Sequence, residues 1–165
     1  MFRVTRQIDF CYGHRLLNYD GKCKYLHGHN GRAIIAIEAP KLDDRGMVLD
    51  FSDIKRVVSQ WIDENFDHRM LLHRDDPAVP ILREMGEPLY LFDENPTAEN
   101  IAKQIFDFTR SQGFPIVEAH RLNDEHRRSG RTPETFGHPS QQTQQSRGLD
   151  RPVGVHVEAA EHERR

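Results

Sequence analysis

Three histidines and a cysteine, all within residues 14–29, set the terms on which this chain can fold. His14 closes a stretch in which Phe2, Val4, Ile8 and Phe10 alternate with polar residues. That is the period of a half-buried strand, broken only at Arg6. Residues 11–31 have no period, hold Gly13, Gly21, Gly28 and Gly31, and read as a long ordered loop. Arg32 to Ala39 is a second strand, ended by Pro40. His27 and His29 sit at i and i+2, so on extended backbone both rings point to one face. His14 joins them if the two strands pair as a long-looped hairpin. Three imidazoles so gathered hold a metal with a coordination position left open, the pattern of catalytic zinc.

Cys23 has three readings at this point. It is a small buried apolar residue, the fourth ligand of a closed structural site, or a reactive thiol. Lys22 and Lys24 flank it and favour a thiolate, which argues against the first reading. Spacing leaves the other two open. Cys11 has no partner motif and reads as structural.

The remainder of the chain builds a single core. Asp43-Asp44-Arg45-Gly46 is a turn and Met47 to Phe51 a short extended piece. Ser52 is the predicted N-cap of a helix with Asp53 in its first turn. Ile54, Val57, Val58, Trp61 and Ile62 then form one buried stripe. Asp67 and His68 follow in a loop. Being adjacent, their side chains diverge unless the backbone turns sharply. His73, before Arg74-Asp75-Asp76, reads as a surface residue. Pro77, Pro80, Pro88 and Pro96 keep any helix between them short. Thr97 caps a second long helix, with Glu99 in its first turn, a buried face of Ile101, Ala102, Ile105 and Phe106, and Gly113 at its end. Phe114 to Leu122 contains a further strand.

Composition changes after Leu122. Residues 123–152 hold only Phe136 and Leu149 as sizeable apolar side chains, which predicts disorder. Val153, Val155 and Val157 alternate and predict a late strand at 153–158. The domain is therefore expected at 1–122, with a polar tail at 123–165. Net charge is −3 and no basic run stands out, so no nucleic-acid or membrane partner is called for. Two cysteines and no leader-like start predict a cytoplasmic protein without a disulfide framework.

Five motifs occur in order: Phe-x-x-x-His-Arg-Leu at 10–16, Cys-x-x-x-His-Gly-His at 23–29, Gly-Met-Val-Leu-Asp-Phe at 46–51, Asp67-His68, and Pro-Thr-Ala-Glu-Asn at 96–100. Together they resemble the 6-pyruvoyl-/6-carboxy-tetrahydropterin synthase family over roughly residues 2–118. The resemblance implies an α+β tunnelling fold, a small antiparallel sheet with two helices on one face, assembled through strand edges into a homo-oligomer, usually a hexamer. It implies Zn2+ on His14, His27 and His29. It implies Cys23 as the thiolate base, with Asp67 and His68 as proton-relay partners. Thr97, Ala98 and Glu99 would lie near the pterin.

The implied substrate is 7,8-dihydroneopterin triphosphate. Three residues between the cysteine and His-Gly-His are similar to the 6-carboxy branch, which releases acetaldehyde and triphosphate on the way to queuosine. The 6-pyruvoyl branch, which eliminates triphosphate, is the alternative. The chain departs from the family pattern in one respect. Members carry a pterin-anchoring glutamate in a Glu-Thr pair after the third strand, whereas here the strand runs into Glu118-Ala119-His120-Arg121-Leu122. Glu134-Thr135 is the sole Glu-Thr pair. Two further readings therefore stand beside the synthase: a non-catalytic zinc-binding module that has lost the pterin anchor, and a metal-free enzyme using Cys23, His68 and Asp67.

Overall fold

The computed structural model describes residues 1–122. Strand β1 (Phe2–His14) pairs antiparallel with β2 (His27–Ala39) along its whole length, from Phe2 opposite Ala39 to His14 opposite His27. The strands run further than apolar alternation indicates. Residues 11–14 and 27–31, expected in a loop, belong to the ladder, and only the connection between His14 and His27 is irregular. That extension carries all three histidines onto regular backbone. Gly31 lies in it where space is short: a Cβ there would stand 2.9 Å from the Phe10 ring.

Beyond the hairpin, β3 (Arg69–His73) pairs parallel with the end of β1, and β4 (Leu89–Phe92) pairs parallel with β3. On the other side β5 (Ile116–Leu122) pairs antiparallel with β2. The result is a five-stranded mixed sheet in the order β4-β3-β1-β2-β5. The α+β class is as expected, and the two parallel strands are added to the antiparallel sheet predicted for it. Met47 to Phe51, read as an extended piece, form no strand, and Phe51 opens the first helix.

The first long helix is a continuous rod of α1 (Phe51–Ile54), a π-helical turn (Lys55–Ser59) and α2 (Gln60–Asn65). Its N-cap is Asp50 rather than Ser52. The Asp50 carboxylate accepts from the Ser52 N–H at 2.8 Å, which satisfies an otherwise orphaned donor. Helix α3 (Ala78–Glu84) is the short piece the prolines allow. Helix α4 (Ala98–Ser111) starts on its Thr97 cap and runs out before Gly113, whose φ of 83° suits glycine.

One core joins these elements. Phe10, Tyr12, Ala33, Ile35, Ile37 and Leu71 from the sheet meet Ile54, Val58 and Ile62 from the first rod and Ile101, Ile105 and Phe106 from α4. Trp61 stacks on Phe108 at 4.4 Å between ring centroids and seals the two rods together. The opposite side of β1 presents Arg3, Thr5, Gln7, Asp9 and Cys11, all exposed. Arg32 pairs with Asp9 there through two hydrogen bonds, and Arg3 with Glu38. Among the described residues no helix is long and apolar enough to cross a membrane. The predicted tail, its late strand at 153–158 and the Glu134-Thr135 pair lie outside the described residues.

Candidate active site

The histidines converge because the register puts them together. His14 faces His27 across the ladder, and His29 lies two residues further along the same face, opposite Tyr12. The Nε2 atoms of His27 and His29 each stand 3.1 Å from Nε2 of His14. All three ligand nitrogens lie within 4.8 Å of one another. His14 and His29 are buried, 5% and 7% exposed, and the Tyr12 ring sits 5.5 Å from each of theirs as a floor.

Backbone carbonyls fix the tautomers. His14 Nδ1 donates to the carbonyl of Pro96 at 2.8 Å, and His27 Nδ1 to that of Tyr25 at 2.7 Å. A carbonyl can only accept, so the proton of each neutral ring is on Nδ1 and Nε2 carries a lone pair. Two lone pairs then face each other at 3.1 Å, which repels unless a cation lies between them. Tetrahedral zinc with nitrogens at about 2.0–2.1 Å holds those nitrogens about 3.3 Å apart. The donor set, the spacing and the carbonyl partners behind the rings therefore fit zinc.

Cys23 sits in a 3-10 turn, Lys22–Lys24, tied to the end of β1 by the Leu16 N–H donating to the Cys23 carbonyl at 2.8 Å. Its thiol stands outside the cluster of ligand atoms, which among the described residues comprises the three histidines alone. Cys23 nevertheless shares a cleft of about 1070 Å³ with His27, His29 and His68. Lys22, Arg69 and Glu87 also line it.

Asp67 and His68 do meet, because the backbone turns as sharply as their contact requires. His68 has a φ of 54°, and its N–H donates to the Cys11 carbonyl at 2.7 Å. The Cys11 N–H in turn donates to Asp67 Oδ1 at 2.7 Å. These bonds dock the loop on β1 and leave Asp67 Oδ2 2.6 Å from His68 Nδ1. Asp67 thus orients an imidazole whose side chain is 80% exposed in the cleft. Such a carboxylate-imidazole pair can carry a proton.

Thr97, Ala98 and Glu99 are not among the residues that wall this cleft. Thr97 Oγ1 caps α4 by accepting from the Asn100 N–H at 3.4 Å, while Pro96 just before it holds His14. His73, read as a surface residue, is partly covered, its side chain 21% exposed.

Two supports had no mark in the local sequence. Arg15 Nε donates to Asp76 Oδ2 at 2.7 Å, and a second bond joins the Arg15 guanidinium to Oδ1. Burial pushes the Asp76 carboxyl up. The Arg15 hydrogen bonds, the Ala78 amide and the nearby positive charge outweigh burial and hold it below the usual carboxylate range. Asn95 is the other, with both ends of its side-chain amide bonded to the Leu17 backbone.

The family model described as 6-pyruvoyl tetrahydropterin synthase matches residues 3–127. The chain belongs to that family. A 6-carboxy-5,6,7,8-tetrahydropterin synthase of Rickettsia felis is 48% identical over 107 residues, covering 64% of this chain and 78% of that protein. Among solved structures, an uncharacterized protein from Wolinella succinogenes superposes with a TM-score of 0.62 at 26% identity, over 73% of this chain and 92% of that one. The Plasmodium falciparum 6-pyruvoyl tetrahydropterin synthase has a TM-score of 0.50 at 19% identity, covering 67% and 79%, and shares the fold. The tetrahydropterin synthase family is a family of enzymes, so the cleft lies in a catalytic scaffold.

Proposed function

We propose that this chain converts 7,8-dihydroneopterin triphosphate to 6-carboxy-5,6,7,8-tetrahydropterin, with release of acetaldehyde and triphosphate. The observation that carries the reading is the convergence of three Nε2 atoms beside a cleft shared by Cys23 and His68. The 48% identical relative named for the 6-carboxy product favours that branch over the 6-pyruvoyl one.

His14, His27 and His29 would hold zinc, which when bound supplies Lewis acidity to the substrate side chain. Cys23, outside the ligand cluster, takes a proton from that side chain as thiolate. His68 passes the proton on through Nε2 while Asp67 fixes its ring through Nδ1. Thr97, Ala98 and Glu99 would lie near the pterin, in a site completed by another subunit. Among the described residues the outer strands β4 and β5 are each paired on one side only, and their other edges are where copies could pair as a homo-oligomer. A cytoplasmic setting accords with two free thiols.

Cys23→Ala tests the assignment. Turnover should vanish while zinc stays bound at about one per chain. Loss of zinc would make the thiol a ligand and the site a closed structural one.

A further inference from the structure

Three residues past the end of β1, Leu17 is bound to the segment ahead of α4 through the Asn95 side chain. Asn95 Oδ1 accepts from the Leu17 N–H at 2.7 Å, and Asn95 Nδ2 donates to the Leu17 carbonyl at 2.9 Å. This is the pairing of a strand edge made by a side-chain amide, with one donor and one acceptor matched to one residue. The Asn95 carbonyl is itself held by Asn100 Nδ2 at 2.9 Å and by the Thr97 N–H at 2.7 Å. The next residue, Pro96, has no N–H to divert and a fixed φ. Its carbonyl is the acceptor for His14 Nδ1.

We propose that Asn95, braced by Asn100, is a positioning residue that sets the tautomer and direction of the His14 imidazole, making the start of α4 part of the metal centre. The inference rests on the three-histidine metal site of the proposed function. His14 offers a lone pair at Nε2 only while the proton stays on Nδ1, and the Pro96 carbonyl keeps it there. Asn95 fixes that carbonyl relative to β1. The amide adds a tie between this segment and the end of β1 that does not run through the imidazole the carbonyl has to orient. Aspartate keeps the acceptor for Leu17 but loses the donor, and alanine loses both.

The test uses the full chain without any pterin. Zinc affinity is measured by competition with a chromogenic chelator. The His14 tautomer is read in metal-free protein by long-range 1H–15N correlation. Asn95→Ala should weaken the zinc Kd about 10- to 100-fold and shift His14 from the Nδ1–H form to a mixture. Asn95→Asp should move both readouts the same way by less. An unchanged Kd together with an intact Nδ1–H tautomer would overturn the proposal. If the alanine variant fails to fold, Asn95→Asp carries the test on the same readouts. Wild-type protein that takes up no zinc would refute the metal reading instead, and the tautomer would still decide the role of Asn95.

Discussion

Asp67→Asn isolates the orientation of His68 from everything else the loop does. An asparagine can keep its Oδ1 against the Cys11 N–H, so the 2.7 Å bond that docks the loop survives. Its Nδ2 then faces His68 Nδ1, where a carboxylate oxygen now stands at 2.6 Å. An amide N–H donates, so His68 must present a lone pair at Nδ1 and move its proton to Nε2. That reverses which nitrogen can receive a proton in the cleft. A hydrogen bond to a charged group is worth about 1.5–3 kcal/mol, and at about 1.36 kcal/mol per tenfold its loss lowers kcat about 10- to 150-fold. His68 is 80% exposed, so the stability change should stay below about 1 kcal/mol. The assay is steady-state turnover of dihydroneopterin triphosphate by zinc-loaded protein, with zinc content measured alongside. A kcat within twofold of wild type at full zinc occupancy would refute the orienting role of Asp67.

Other consequences are as direct. Asp76→Asn removes the charge facing Arg15; breaking a buried pair costs about 3–5 kcal/mol, and the Arg15 side chain, 24% exposed, puts the loss near the low end. Urea unfolding at fixed protein concentration measures it. The Asp76 pKa is depressed in the folded chain, so its stabilisation is whole above the unfolded value of about 3.9 and is lost as pH falls through the folded value below it. The variant should therefore show a shallower acid limb below about pH 4, and an identical limb would remove Asp76 from the account. Gly31→Ala pushes a Cβ to 2.9 Å from the Phe10 ring in the core and should cost about 1–3 kcal/mol, seen as a lower urea midpoint. His29→Ala should abolish stoichiometric zinc uptake while leaving the far-UV circular dichroism unchanged.

The three-histidine cluster was legible in the sequence because a period of two survives at His27-Gly28-His29 and an alternating stretch leads into His14. The ends of the strands were not, since Cys11 to His14 and His27 to Gly31 offer almost no apolar alternation to read. Strands β3 and β4 escaped for another reason. Leu71 and Leu72 are both fully buried, so β3 reads as a short apolar run without a period, and prolines surround β4. The meeting of Asp67 and His68 depends on a left-handed φ at a histidine, which no composition signals. The longest-range supports are the least visible: Arg15 and Asp76 are 61 residues apart, and Asn95 and Leu17 are 78 apart. Nothing in either neighbourhood marks its partner. Helix α4 was read correctly down to its cap because propensity, capping and amphipathic stripe all agree there.

If this three-histidine cleft performs 6-carboxy-tetrahydropterin chemistry, its products identify it. Mass analysis of the products after zinc-loaded protein meets dihydroneopterin triphosphate tests this most directly. The expected products are 6-carboxy-5,6,7,8-tetrahydropterin and an equivalent of acetaldehyde. A 6-pyruvoyl product, or unchanged substrate at full zinc occupancy, would contradict it.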